Sequence, residues 1–89
     1  MNSYSLTLVL KNDLAEKERT ELLGTVTKSF GKLIKEDLWG SRSLVYQIKH
    51  QDKGFYTHYE FESEPDQISR LDKMVKLNED VLRYLLIRN

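Results

Sequence analysis

Few side chains in this chain are of a type that does chemistry. His50 and His58 are the two histidines, and there is no cysteine. Zinc sites draw on Cys, His and carboxylates at short, fixed spacings, and neither histidine has such neighbours. Without cysteine, disulfides and thiolate nucleophiles are excluded. Glu60, Glu62 and Glu64 alternate along one side of a short segment. Paired carboxylates act as acid and base only in a pocket that separates their pKa values, and no large loop is present to build one. The four glycines are scattered at turn-like positions and form no phosphate-cradling loop. The expectation is a protein without catalysis, cofactor or small-molecule substrate.

Recognition chemistry is a better prospect. The stretch Lys53-Gly54-Phe55-Tyr56-Thr57-His58-Tyr59-Glu60-Phe61 begins like the signature of the RNA-recognition motif: a basic residue, a glycine, then spaced aromatics. In a strand alternate residues face opposite ways. Phe55, Thr57, Tyr59 and Phe61 then share an apolar face, and Tyr56, His58, Glu60 and Glu62 share the other. The motif asks for a small residue where Tyr56 stands, and for aromatics where Thr57 and Glu60 stand. The signature fails, and the stretch reads as a strand that buries its rings.

The elements that must position these residues follow from periodicity. Tyr4 to Leu10 alternates Tyr4, Leu6, Leu8 and Leu10 against Ser5, Thr7 and Val9, a half-buried strand. Asn12-Asp13 offers a helix N-cap with Glu16 at capping-box distance. Leu22, Leu23, Val26 and Phe30 fall on one helical face, and Gly31 is expected to stop the helix in the left-handed conformation. From Lys32 to Lys49 the period is two, with a bend or bulge at Gly40. Gln51 to Gly54 reads as a turn with Gly54 left-handed, and a strand returns from Phe55 to about Glu62. Ser63-Glu64-Pro65-Asp66 reads as a helix start capped by Ser63. Ile68, Leu71, Met74 and Val75 form its buried stripe, Asn78 its end, and Val81 to Arg88 a last strand, apolar on both faces apart from Arg83 and Arg88.

The order strand, helix, strand, strand, helix, strand predicts an α+β fold of the ferredoxin-like split βαβ type. Its four-stranded antiparallel sheet carries both helices on one face. With 89 residues, 39% of them hydrophobic and 31% charged, one domain spanning residues 1–89 is expected, near the size at which one core suffices. Some proteins of this fold are acylphosphatases, but Lys11-Asn12-Asp13-Leu14 lacks the glycine and arginine of their loop. Lys and Arg equal Asp and Glu at 14 each, so no large basic field draws the chain to RNA or to an anionic membrane. The alternating N-terminal segment reads as a strand and not as a signal peptide, which places the protein in the cytoplasm or an organelle matrix.

One block remains, Asp37-Leu38-Trp39-Gly40-Ser41-Arg42-Ser43-Leu44-Val45-Tyr46-Gln47-Ile48-Lys49. It resembles the W-G-x-R-x-L-A-Y-x-I-x-K pattern of ribosomal protein number six of the bacterial small subunit. Tyr4, Gly54 with Tyr56, and Asn78 through Arg83 fall in register with further motifs of that family, so the likeness spans the chain. The resemblance implies the split βαβ fold and binding to the central domain of small-subunit ribosomal RNA, at the platform, beside the basic ribosomal protein number eighteen. It implies Tyr4, Arg42 and Arg83 as RNA contacts, with Lys49 and Arg88 behind them. Trp39 and Tyr56 are the partner-binding candidates, Trp39 also as a clamp on the bend, and Tyr46 is expected to pack. Val45 and Gln47 replace the frequent Ala and Pro, Asn2-Ser3 stands where basic residues are common, and the C-terminal tail by which family members often help hold the partner is expected to be either absent or truncated at Asn89. The competing expectation is a protein-interaction or ligand-sensing module that self-dimerises through its sheet.

Overall fold

The computed structural model describes residues 2–48 and 51–89, with the backbone alone for Val45, Gln47, Ile48 and Gln51. The elements run β1 (Asn2–Lys11), α1 (Glu16–Lys28), β2 (Lys32–Ile48), β3 (Gln51–Ser63), α2 (Pro65–Leu77) and β4 (Val81–Arg88). The strands form one antiparallel sheet in the order β2-β3-β1-β4. Both helices cover one face, as the βαββαβ order predicts.

The core is the meeting of the expected stripes. Tyr4, Leu6, Leu8 and Leu10 of β1 and Tyr59 and Phe61 of β3 lie under Val26, Phe30, Leu71 and Val75. Phe30 stacks on Phe61 with ring centroids 3.8 Å apart and planes 9° apart. Thr57 shares this side, fully buried, and its hydroxyl has no hydrogen-bond partner among the described residues. The parity read from the β3 sequence therefore holds.

Local details depart from the sequence reading where tertiary contacts intervene. Helix α1 starts at Glu16 with Ala15 as N-cap, not at Asp13. Asn12 instead accepts a hydrogen bond from the Ser41 hydroxyl, which ties this loop to β2. Helix α2 is capped by Glu64 and not by Ser63, with Gln67 closing the capping box. Ser63 is buried, where its hydroxyl accepts from the Gly31 N–H at 3.1 Å and donates to Gln67 Oε1 at 3.2 Å.

Among the described residues Gly40 is the glycine with positive φ, +82°, and it sits at a register shift in β2. Gly31 and Gly54 are not left-handed; each is required by close approach. A Cβ on Gly31 would lie 2.6 Å from the Glu62 carbonyl oxygen, and one on Gly54 would collide with Val9 Cγ1. Residues 51–54 belong to β3, which corrects the turn expected there. Tyr46 does not pack, being 76% exposed.

Candidate functional site

The face of the sheet away from the helices collects most of the residues singled out by the sequence. Ser5, Thr7 and Val9 of β1 pair with Glu60, His58 and Tyr56 of β3 on one side, and with Ile87, Leu85 and Arg83 of β4 on the other. Arg42 of β2 stands opposite Gly54, and across the sheet Gly54 stands opposite Lys11. Trp39, beside the Gly40 bend, lies over His58 with centroids 5.5 Å apart and planes 6° apart. It stacks also on Tyr56, at 6.4 Å and 23°. The Arg42 guanidinium carbon is 6.0 Å from the Trp39 ring centroid, within reach of cation–π attraction. His58 is held upright by a 2.9 Å hydrogen bond between its Nδ1 and the Thr7 hydroxyl oxygen.

Each of these placements has a local cause. The left-handed Gly40 breaks the β2 register between Leu38 and Gly40. A bulge re-aims the side chains that flank it, here leaving Trp39 on the open face and Leu38 on the helix face. Gly54 has no side chain to block Arg42. Val9, although on the open face, is 6% exposed because β3 presents Gly54 and Tyr56 beside it. The open face therefore carries an aromatic row at its β2 side, with Leu85 58% and Ile87 47% exposed at its β4 side.

Charge divides along the strands. Arg42, Lys11 and Arg83 gather at the Gly54 end, where Lys11 pairs with Asp80 at 3.9 Å. Arg83 is exposed and makes no ion pair among the described residues. Arg42 and Arg83 are separated by three strand spacings, roughly 14 Å. Glu60 and Glu62 sit at the opposite end, opposite Lys35 and Lys32 of β2. At six residues or more from Gly54 they are roughly 20 Å away.

Not every candidate joins this group. Tyr4 belongs to the core, 6% exposed and stacked on Phe61 at 5.8 Å, and its hydroxyl accepts from Asn2 Nδ2 at 3.4 Å. Arg88 stands opposite Tyr4 at the far end of β4, and its Nη2 donates to Asn2 Oδ1 at 3.4 Å. Lys49 lies outside the described residues. The sequence reading missed Thr7, Val9, Leu85 and Ile87, which carry no motif and gain meaning only from cross-strand register. Among the described residues no three His or carboxylate side chains come together to hold a metal, and no helix is long and apolar enough to cross a membrane.

A family model described as ribosomal protein S6 matches residues 3–88. The chain belongs to the ribosomal protein S6 family. It is 36% identical to small ribosomal subunit protein bS6 of Caldanaerobacter subterraneus, over 99% of the chain and 97% of that protein. It is likewise 36% identical to bS6 of Streptomyces griseus, over 99% and 96%. The fold matches the crystal structure of 30S ribosomal protein S6 from Thermotoga maritima with a TM-score of 0.91, at 22% identity, over 99% of this chain and 87% of that one. The S6 family is a structural, non-enzymatic component of the small ribosomal subunit.

Proposed function

We propose that this chain, acting as one domain over residues 1–89, binds the central domain of small-subunit ribosomal RNA at the platform, together with ribosomal protein number eighteen. The observation that carries the reading is the convergence of Arg42, Arg83, Trp39 and Tyr56 on one uncovered sheet face in a member of the S6 family. Arginine suits this role because its planar fork holds a phosphate with two hydrogen bonds and stacks on bases. Arg88 and Lys49 serve as flanking phosphate contacts. Trp39 and Ile87, both exposed on the same face, are apolar surface that a protein partner would cover. A basic partner would also supply the positive field that a chain with 14 basic and 14 acidic residues lacks. The setting is the ribosome, in the cytoplasm or an organelle matrix.

The test is binding to a central-domain RNA fragment, with and without protein eighteen, over a salt series. Tight binding is expected only with the partner present. Arg42→Ala or Arg83→Ala is expected to lower the slope of log K against log salt by about one phosphate contact. A second reading draws on the exposure of Leu85 and Ile87 beside Trp39, which also suits self-association through the sheet. No RNA binding in either condition, with a stable self-dimer in sedimentation, would replace the first reading with the second.

A further inference from the structure

A hollow of about 290 Å³ opens on the uncovered sheet face, lined by Thr7, Val9, Tyr56, Arg83, Tyr84 and Leu85. The strand order places β2 on one side of Tyr56 and β1 with β4 on the other. Trp39 of β2 stacks on one face of the Tyr56 ring at 6.4 Å. Tyr56 is the wall of the hollow on its β3 side. Val9 is its apolar floor, buried to 6% exposure, and Leu85 stands across from the tyrosine. Arg83 is at the rim, exposed and without an ion pair among the described residues.

We propose that this hollow seats one unpaired nucleotide of an RNA, its base against Tyr56 and its phosphate on Arg83. The inference rests on the RNA-binding reading above and deepens it, moving Tyr56 from the partner side to the RNA side. The occupant must present a flat face to continue the ring stack of Trp39 and Tyr56, and a negative charge to meet Arg83. A base with its phosphate has both. An apolar protein side chain would satisfy the floor and leave the rim guanidinium without a counter-charge. The volume agrees as well. It falls at the lower limit of ordinary small-molecule pockets, about 300 Å³, enough for one ring system. The site also explains how RNA bases can be read by a sheet whose β3 fails the usual aromatic signature. The ring that completes the platform comes from β2, through the bend at Gly40.

Trp39 is the sole tryptophan of the chain, so its emission reports on this site. The full chain would be titrated with single-stranded octa-adenylate and with an abasic strand of the same length and charge. Saturable quenching by octa-adenylate is expected, with the abasic strand binding at least tenfold more weakly. Tyr56→Phe keeps the ring and should bind within about twofold of the original, whereas Tyr56→Leu keeps the apolar bulk and should lose about tenfold, the scale of one base–aromatic stack. Arg83→Gln should weaken both strands and lower the salt slope by about one. Equal binding of the abasic strand, unchanged binding by Tyr56→Leu, or no saturable quenching at millimolar strand would each overturn the proposal. Thermal midpoints of the variants show that each is folded. Repeating Tyr56→Leu with the central-domain fragment and protein eighteen separates the two readings. If that variant assembles as well as the original, nucleotide stacking falls and the ribosomal role stands; if the original itself does not assemble, the ribosomal role fails on its own account.

Discussion

Tyr59 shows how burial alone changes a residue that no motif marks. Its ring is 1% exposed beneath the helices, and its hydroxyl pKa is pushed up to about 12, by burial first and by the nearby Glu36 carboxylate second. An unfolded tyrosine ionises near 10. Below pH 10 both states keep the proton, and the stability from the neutral buried phenol is fully present. As pH rises from about 10 through 12 the unfolded chain loses protons that the folded chain retains, so stability falls. Tyr59→Phe is expected to flatten that alkaline loss, as read from chemical denaturation midpoints at pH 9, 10.5 and 12. Tyr84 is also raised, chiefly by its 2.8 Å hydrogen bond to Asp72, so part of the slope should remain. The same scale separates the arginines. Arg42 and Arg83 share a type with Arg88, but cross-strand position brings two of them together and sends the third to the far end.

At the scale of elements, β2 carries most of what distinguishes this chain. It runs from Lys32 to Ile48 and turns on Gly40 at φ +82°. A left-handed residue with a Cβ costs roughly 1–2 kcal/mol, with Asn the mildest. Gly40→Ala should therefore destabilise by about that amount, and Gly40→Asn by less. Both should also loosen the Trp39–His58 stack, visible as a shift in Trp39 emission. Gly31 should behave differently. Its fault would be a clash with the Glu62 carbonyl, so Asn offers no relief, and Gly31→Ala should cost about 1–3 kcal/mol, as overpacking does. Comparing the two glycines by thermal denaturation distinguishes a backbone requirement from a space requirement. The prediction fails if Asn is better than Ala at both positions.

For the whole molecule, the absence of net charge sets the terms of the proposed RNA binding. Phosphate neutralisation dominates non-specific affinity, and 14 basic residues here are balanced by 14 acidic ones. Arg42, Lys11 and Arg83 gather at the Gly54 end of the open face, whereas at the other end Lys35 and Lys32 stand opposite Glu60 and Glu62. The isolated chain should then bind random-sequence RNA no more tightly than the usual non-specific range of about 10⁻⁴–10⁻⁶ M at physiological salt. Filter binding would check this, and submicromolar affinity for random RNA would contradict the division of charge described here. In the proposed complex, specificity would come from the shape of the face and from the proposed partner, since bulk attraction is small.

The order of elements, the antiparallel sheet, the helix-covered face and the parity of Phe55 to Glu62 were all legible in the sequence. Each depends on a period of 2 or 3.6, which local chemistry writes directly into the chain. The Trp39-to-Lys49 block and the bend at Gly40 were legible for the same reason, being contiguous. Caps and turns were less so. Asn12 and Ser63 have the right side chains to cap helices, yet Ser41 and Gly31 engage them first. Gly31 and Gly54 looked like turn residues because a sequence does not distinguish a glycine needed for φ from one needed for space. The candidate face belongs to tertiary structure alone. Register across four strands placed Tyr56 between Trp39 and Arg83, withdrew Tyr4 into the core and set Arg88 apart. Residues far apart in the chain meet there through backbone hydrogen bonds whose pairing no single segment encodes.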